Sequence, residues 1–337
     1  MALVVDAGLA AAQTVTTATQ TSGTDALLVG VSPVDEKVVW VSGIRGTWGR
    51  TTDGGATWQI GQVPGADSLQ FRDVHAVDAR TAYLLSIGNG DQSRIYKTTN
   101  AGLTWVLQFT NAEPKGFYDC FDFWTPDRGL VIGDAIDGKI AVLTTANGGA
   151  TWTRIPPDQL PVANPGEGSF AASGRCLTTG PNGAAWIVMS NPSQARLLST
   201  SDYGKTWSIQ NLPVPTRESV GPAAVTFRDR QHGAILGSST DSSRAVVVTR
   251  DGGKTWSGGA PLPLPRGAYG GGYVPGPRLA VLVAVGPDGI AVSPDEGNNW
   301  SLVSRDNHWS VAMVSARAGW AVGTRGRITR LALQEKP

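Results

Sequence analysis

Three acidic residues, Glu167, Asp119 and Asp134, are the strongest candidates for acid–base chemistry in this sequence. Two carboxyl groups that face one substrate can act as general acid and general base, or as the pair that cleaves a glycosidic bond. Their separation would decide between these mechanisms. Tyr118 or His308 could carry a proton beside them. The alternative is structural, since the same acids could hold backbone amides and arginines in place.

Arginines and aromatic residues form a second set of candidates, for ligand binding rather than catalysis. Guanidinium groups bind carboxylate and phosphate through paired hydrogen bonds, so these residues favour an anionic ligand. Alternatively, the arginines could pair with neighbouring acids at the surface, where ion pairs are common and weak. The members of this set are Arg45, Arg72, Arg94, Arg175, Arg196, Arg244, Arg266, Phe170, Tyr269 and Trp309.

Other kinds of site lack their sequence signals. The histidines show no metal-binding spacing, and no phosphate-binding loop or nucleophile elbow is present, so we expect neither a metal nor a cofactor. A net charge of +1 argues against nucleic acid as a partner. No apolar run reaches the ~18–20 residues that cross a bilayer. Cys120 and Cys176 favour buried free thiols, with a single disulfide as the alternative.

One eight-residue motif recurs along the chain and indicates which elements position these candidates. Each copy starts with Ser or Thr, has Asp or Asn at its third position and Gly at its fifth, and ends with Trp. We call these copies the box turns, and successive tryptophans lie 44 to 55 residues apart. The six copies occupy residues 51–58, 98–105, 145–152, 200–207, 249–256 and 293–300.

This period is that of a propeller blade, in which each repeat forms one four-stranded sheet. Short apolar strands precede each box turn, and the final unit "GWAVGTRGRITRL" repeats the strand–turn–strand pattern without a box. The sequence therefore predicts an all-β, seven-bladed β-propeller with four-stranded blades over residues 13–333. Because a closed ring leaves no free sheet edge, a strand within residues 13–31 should complete the last blade. Residues 1–12 would be a tail or a processed segment, and 334–337 a C-terminal tail.

The box turns themselves are expected to be structural. Asp or Asn followed by Gly makes a tight turn that bonds its own backbone, and Trp packs between blades. Six similar turns spread around a ring cannot converge on one substrate. In a propeller the links between blades and the turns between second and third strands lie on the opposite face, which is where we expect the site.

The box turns resemble the Asp-boxes, or BNR repeats, of sialidases and related propellers. The recurring sequence pattern of "GWAVG" and "TRDGGKTW" more closely resembles that of the photosystem II stability/assembly factor-like family. The segments "FYDCFDFWTPDRGLVIGDAIDGK" and "LPVANPGEGSFAASG" are similar to the bacterial branch of that family. In sialidases an R-I-P motif precedes the first box, whereas here "RIP" follows the third, so sialidase activity is not expected.

The resemblance implies an arginine-rich patch that receives a partner polypeptide, with comparable turns holding Arg45, Arg94, Arg196, Arg244 and Arg325. We therefore expect a binding propeller that holds a peptide segment or a small anionic or sugar-like ligand on the face opposite the box turns. The alternative is a hydrolase or lyase acting on a carbohydrate or another small polar substrate. The alanine-rich start favours a secreted or periplasmic protein, with a cytoplasmic one left open. We expect a monomer.

Overall fold

A computed structural model describes residues 14–237, 245–276 and 279–334 of the chain, which form seven four-stranded antiparallel sheets. The first strand, β1 (Thr14–Gln20), belongs to the last sheet. Blades 1 to 3 then comprise β2 (Leu28–Pro33), β3 (Val39–Gly43), β4 (Thr47–Thr51), β5 (Gln59–Gln62), β6 (Gln70–Ala76), β7 (Ala82–Ile87), β8 (Arg94–Thr98), β9 (Val106–Thr110), β10 (Tyr118–Thr125), β11 (Arg128–Ile136), β12 (Lys139–Thr145) and β13 (Thr153–Arg154).

Blades 4 to 7 follow in the same order along the chain. Their strands are β14 (Leu177–Thr179), β15 (Ala185–Asn191), β16 (Gln194–Thr200), β17 (Ser208–Leu212), β18 (Pro222–Phe227), β19 (Gly233–Gly237), β20 (Val246–Thr249), β21 (Ser257–Gly258), β22 (Gly270–Tyr273), β23 (Leu282–Gly286), β24 (Gly289–Ser293), β25 (Ser301–Ser304), β26 (Ser310–Ser315), β27 (Ala318–Val322) and β28 (Ile328–Gln334). The predicted seven-bladed, all-β propeller is therefore confirmed.

Ring closure joins the two ends of the described chain. Strand β1 pairs with β28 in antiparallel register, from Thr14 beside Gln334 to Gln20 beside Ile328. It becomes the outermost strand of blade 7, whose other strands are β26, β27 and β28. The proposed N-terminal tail, residues 1–12, lies outside the described residues. So does the proposed C-terminal tail, apart from Gln334 at the end of β28.

The core lies between blades, because each inner strand is covered on both faces by its neighbours. All five residues of β3 are buried, whereas β5, at the rim of the same blade, has no buried residue. Apolar β-branched and aromatic residues suit such strands, since they pack well on a pleated surface. Trp58 shows the same arrangement, because it packs against a cluster built from blades 1 and 7.

The box turns hold themselves together with local hydrogen bonds, as predicted. In the first box, Asp53 accepts the backbone N–H of Thr57 at 2.9 Å and the Thr57 hydroxyl at 2.6 Å. The Thr51 hydroxyl accepts the backbone N–H of Gly55 at 2.9 Å. These bonds lower the pKa of Asp53 to about 2, because they favour its charged form. The pKa values of Asp202 and Asp251 are also lowered to about 2.

The expectation of free thiols is wrong, because Cys120 and Cys176 form a disulfide. Cys120 lies on β10 and Cys176 immediately precedes β14, so the bond joins the innermost strands of blades 3 and 4. The two residues are 56 apart in sequence. They meet because the innermost strands of adjacent blades converge on the same channel.

Candidate functional site

The face opposite the box turns is formed by the turns between second and third strands and by the links between blades. In blade 1 the backbone N–H of Gly46, in the turn after β3, donates to Leu69 in the following link at 2.9 Å. The backbone N–H of Val63, after β5, donates back to Gly46 at 2.9 Å. Turns and links therefore interlock around the ring on this face, which surrounds the mouth of the central channel.

One link crosses the channel instead of staying at its own blade. We call residues 169–175, which precede β14 of blade 4, the channel segment. The Ser173 hydroxyl donates to the backbone carbonyl of Tyr269, ahead of blade 6, at 2.7 Å. The Ser310 hydroxyl of blade 7 donates to the backbone carbonyl of Ser173 at 3.0 Å. The segment thus reaches blades that lie across the ring from its own.

The same segment also contacts the first two blades. Arg72 of β6 donates to the backbone carbonyl of Ala171 at 3.5 Å, and Arg175 donates to that of Val31 in β2 at 3.0 Å. Contacts with blades 1, 2, 6 and 7 can meet in one short segment only if that segment occupies the centre of the ring. The channel segment therefore closes the channel and forms the floor of a depression above it.

A cavity of about 380 Å³ lies at this closed channel mouth. Its walls come from blades 2 and 3, from the channel segment, and from the links that enter blades 6 and 7. This size is at the lower end of the range for ligand pockets. Its lining residues are Arg72, Ile87, Phe117, Asp119, Asp134, Ser169, Phe170, Ala171, Ala172, Tyr269 and Trp309.

Two of the predicted acids, Asp119 and Asp134, form one end of the cavity. Asp119 is 1% exposed, and its Oδ2 is buried without a hydrogen-bond partner among the described residues. Burial, together with the neighbouring Asp134, raises the pKa of Asp119 well above its usual range. Asp134 accepts the backbone N–H of Ser169, but burial still raises its pKa to about 6. Burial thus raises the pKa of both carboxyl groups at this end of the cavity.

Arg72 forms another part of the cavity wall and carries a positive charge, opposite in sign to that of an ionised aspartate. Its Nε and Nη2 donate to Gln70 Oε1 at 3.3 and 2.9 Å, and its guanidinium carbon lies 5.1 Å from the centroid of the Trp309 ring. Among the described residues, no carboxylate forms an ion pair with Arg72. A guanidinium has five N–H donors, more than these contacts use, so Arg72 can bind an anionic group.

Arg72 and Asp119 both lie where the pairing of their strands is irregular. The pairing of β6 with β7 shifts register between Phe71 and Asp73, which makes Arg72 the extra residue. The pairing of β10 with β11 shifts in the same way between Tyr118 and Cys120, which makes Asp119 the extra residue. A bulge turns a side chain away from its normal alternation. The bulges thus allow Arg72 and Asp119 to line the cavity.

Three of the predicted aromatic residues complete the walls. The rings of Phe170 and Tyr269 have centroids 6.5 Å apart, and those of Tyr269 and Trp309 are 5.1 Å apart in an edge-to-face arrangement. The indole Nε1 of Trp309 is buried and donates to no described residue. The sequence candidates Arg72, Asp119, Asp134, Phe170, Tyr269 and Trp309 are therefore brought together at one site.

Glu167 does not line this cavity, and of the two hypotheses for the candidate acids its contacts fit the structural one, in which an acid holds backbone amides and arginines instead of pairing with Asp119 or Asp134. Its carboxylate is buried against the guanidinium of Arg196, with 2.6 Å between Glu167 Oε1 and Arg196 Nε, and both oxygens are engaged. Its Oε2 also accepts the backbone N–H of Asn164 at 3.0 Å. Glu167 and Arg196 neutralise each other and hold the link before the channel segment.

His308 and Tyr118 are also absent from the cavity walls. His308 is fully buried, with Nδ1 2.8 Å from the backbone carbonyl of Asp306 and Nε2 2.9 Å from the Thr329 hydroxyl. Burial lowers the pKa of His308 to about 4, so the ring is neutral and occupied by structural contacts. Tyr118 is buried and packs edge-to-face on Phe109. Their proposed role as proton carriers stays a prediction that the lining of this cavity does not support.

Arg175 likewise does not line the cavity. Besides its contact with β2, it interacts with Asp73 and Asp122 in the channel wall. Asp122 in turn lies 3.1 Å from His75 Nδ1 and accepts the backbone N–H of Thr179 at 2.8 Å. These groups fasten the end of the channel segment to blades 2 and 3.

The expected ring of free arginines is found only in part, because Arg45, Arg94 and Arg266 have acidic partners, whereas Arg325 forms no ion pair among the described residues. Arg45 pairs with Asp25. Arg94 lies 3.3 Å from Asp91, and Arg266 lies 2.7 Å from Asp288. Arg244 lies outside the described residues. The alternative considered for these arginines, surface pairing with nearby acids, is what the structure shows for Arg45, Arg94 and Arg266.

Sequence reasoning missed Phe117, Ile87 and the path of the channel segment. The signal for that path was the longest spacing between box tryptophans, which leaves extra residues before β14. The close approach of the link to Asp134, where a Cβ atom at Gly168 would stand 1.8 Å from Asp134 Oδ1, is visible only in the structure. Over the described ranges, no group of three or more His, Cys, Asp or Glu side chains is placed to hold a metal.

Fold and site together define a seven-bladed β-propeller with a ligand-sized cavity at a closed channel mouth. No family model matches the chain. A sialidase of Bacteroides fragilis (strain YCH46) is 24% identical to it over 220 residues. That match covers 62% of this chain and 36% of the sialidase, so the chain spans little more than a third of that relative's length.

Solved structures with the same fold include two of YCF48. The structure of YCF48 bound to D1 peptide has a TM-score of 0.63 and 17% identity, covering 94% of this chain and 96% of that one. YCF48 from Cyanidioschyzon merolae has a TM-score of 0.67 and 16% identity, covering 94% and 98%. An ancestral GH74 enzyme has a TM-score of 0.64 and 14% identity, covering 92% of this chain and 45% of the enzyme.

At these identities the likeness establishes the fold. The expected resemblance to photosystem assembly factors is confirmed at that level, while the assignment to a bacterial branch stays a prediction. In the part of the chain that the structure describes, no helix is long and apolar enough to cross a bilayer.

Proposed function

We propose that this chain is a ligand-binding propeller whose site is the cavity at the channel mouth, and that its ligand presents a carboxylate to Arg72. The observation that carries this proposal is an arginine without an acidic partner among the described residues, set in a cavity with aromatic walls. Arginine suits carboxylates because its planar donors match the two oxygens. The ligand is either a small organic acid or the carboxyl end of a peptide segment.

The remainder of this face supports the same choice of site. Rim arginines such as Arg45 and Arg266 already have carboxylate partners, so an incoming anion would have to displace an existing ion pair there. Arg196 is neutralised inside the protein by Glu167. At Arg72 no described carboxylate has to be displaced. A structure of YCF48 with a D1 peptide supports a peptide as one source of the carboxylate.

A hydrolase or lyase is the second candidate, and it rests on Asp119 and Asp134. Asp119, whose pKa burial raises well above its usual range, and Asp134, with a pKa of about 6, could serve as general acid and general base. The fold shared with an ancestral GH74 enzyme and the limited identity to a sialidase support this candidate. An enzymatic function requires that the protein turn over a substrate and that this turnover be lost in Asp134→Asn.

Calorimetric titration of the purified protein tests the binding proposal. The probes are short peptides with free or amidated carboxyl ends and small aromatic carboxylic acids with their amides. Free carboxylates should bind about tenfold or more tightly than the amides, since a charge-assisted hydrogen bond contributes roughly 1.5–3 kcal/mol. Arg72→Gln should abolish that preference, whereas Arg266→Gln on the same face should keep it. Equal binding of acids and amides, or a preference that survives Arg72→Gln, would contradict the proposal.

A further inference from the structure

The cavity has an acidic part and a basic part that do not neutralise each other. Asp119 and Asp134 belong to blade 3, and Arg72 belongs to blade 2 beside the Trp309 ring of the link into blade 7. Among the described residues, no ion pair joins Arg72 to either acid, and no other cation pairs with those acids. Buried charges in proteins are normally paired, so both parts lack a partner that a ligand can supply.

The acidic part is suited to a group that donates hydrogen bonds and carries positive charge. Asp119 Oδ2 is buried without a partner among the described residues, and a buried acceptor left unsatisfied costs free energy. Burial raises the pKa of both Asp119 and Asp134, and the neighbouring Asp134 raises that of Asp119 further, so both groups favour their uncharged forms. An ammonium group has three N–H donors and one charge, so it could satisfy the free oxygen and allow the carboxyl groups to ionise.

We infer that the cavity binds a small zwitterion of the amino-acid class, whose ammonium group meets Asp119 and Asp134 while its carboxylate meets Arg72. This inference rests on the proposed function, because it assigns the second half of the same ligand. The aromatic rings of Phe170 and Tyr269 are placed to contact an apolar or aromatic side chain on such a molecule.

The inference favours a free small molecule over the end of a peptide. In a peptide the nitrogen next to the terminal carboxylate is an amide, which carries no positive charge. A cavity of about 380 Å³ also lies near the small end of the range for ligand sites. A compact molecule with both charges a few bonds apart therefore fits the two parts better than a chain that must leave the cavity.

Three probes of similar size separate the contributions of the two charges. L-Phenylalanine carries both charges, 3-phenylpropionate only the carboxylate, and phenethylamine only the ammonium group. In calorimetric titrations at pH 7.5, phenylalanine should bind about tenfold or more tightly than either analogue, given the usual strength of charged hydrogen bonds. Titration in buffers of different ionisation enthalpy should show proton release with phenylalanine and phenethylamine, because ammonium binding ionises the carboxyl groups.

Variants then assign each charge to its residue. Asp119→Asn and Asp134→Asn should each weaken phenylalanine binding towards the level of 3-phenylpropionate and reduce the proton release. Arg72→Gln should weaken it towards the level of phenethylamine. Arg266→Gln is the matched control and should bind all three probes as the unmodified protein does. Thermal unfolding of each variant establishes that a lost affinity does not reflect a lost fold.

Each outcome decides the inference. If 3-phenylpropionate binds as tightly as phenylalanine, with binding that depends on Arg72, the zwitterion is excluded while the carboxylate site stands. The inference is also overturned if none of the three probes binds. If the peptides and acids of the first experiment also fail to bind, the proposed function is contradicted as well. Phenylalanine binding that is unchanged in Asp119→Asn, Asp134→Asn and Arg72→Gln would place the ligand elsewhere and contradict both.

Discussion

Asp53 in a box turn and Asp134 in the cavity carry the same side chain on opposite faces of the propeller. Asp53 is exposed and accepts hydrogen bonds from the hydroxyl groups and backbone of its own turn, which lower its pKa to about 2. Asp134 is largely buried beside Asp119 and has its pKa raised to about 6. The first environment is built to stabilise a carboxylate, and the second is not.

The difference separates structural acids from candidate functional ones. A box aspartate finds all its partners within four residues, so its role is complete without any other molecule. Asp119, in contrast, has an oxygen for which the described residues provide no partner. A shifted pKa together with a buried hydrogen-bond acceptor that has no partner is typical of binding and catalytic sites. Function in this fold is therefore expected on the face that lacks the repeated motif.

The largest effect should come from Glu167, an acid on the cavity face that behaves like a structural one. Glu167→Ala leaves Arg196 buried without its partner, and breaking a buried pair in this way typically costs about 3–5 kcal/mol. Urea unfolding at pH 7 measures that loss. Asp25→Asn is the matched control, because it removes an exposed partner of Arg45 and should leave the midpoint unchanged. If Glu167→Ala unfolds like the unmodified protein, Glu167 does not belong with the structural acids.

A smaller effect of opposite sign is expected at Asp134. Its folded pKa of about 6 lies above the usual value of an aspartate, about 3.9, so ionisation in the folded protein costs stability once the pH rises through this range. Asp134→Asn should therefore stabilise the protein by about 1–3 kcal/mol at pH 8, with the gain disappearing below pH 4. Urea unfolding across this pH range measures the gain.

Asp202→Asn in a box turn is the control for the sign of the stability change expected in Asp134→Asn. The folded pKa of Asp202, about 2, lies below the usual value of an aspartate, about 3.9, so its carboxylate contributes stability above pH 4 that is lost as the pH falls through 2. This variant should lose a little stability at neutral pH and gain none, since Asn100 makes the equivalent bonds in another box. A gain at pH 8 from both variants would remove the distinction between the two faces.

The fold could be predicted from sequence because its signals are local and repeated. Each box turn carries its own hydrogen-bonding residues, and a period of one blade follows from the spacing of the tryptophans. The six cavity candidates were also found, since their position on the links and inner strands follows from propeller topology. They could not be separated from Glu167, His308 and the rim arginines by the same reasoning.

That separation depends on contacts between distant parts of the chain. Glu167 meets Arg196 across 29 residues, and Cys120 meets Cys176 across 56. Neither spacing has a periodic signature. The channel segment contacts the far side of the ring, for example Ser310 of blade 7. Nothing in the segment's own residues specifies that path. Burial then decides whether an acid is paired or left without a partner.

Carbon-13 NMR of aspartate side-chain carboxyl groups, titrated from pH 2 to pH 8, tests the contrast between the faces most directly. Signals assigned by Asp53→Asn and Asp251→Asn should titrate near pH 2, and the signal lost in Asp134→Asn should titrate near pH 6. The Asp119 signal should keep the chemical shift of a protonated carboxyl group to higher pH than any box aspartate. If all these groups titrate together near pH 4, the acids of the two faces do not differ, and the assignment of the cavity as the functional site is contradicted.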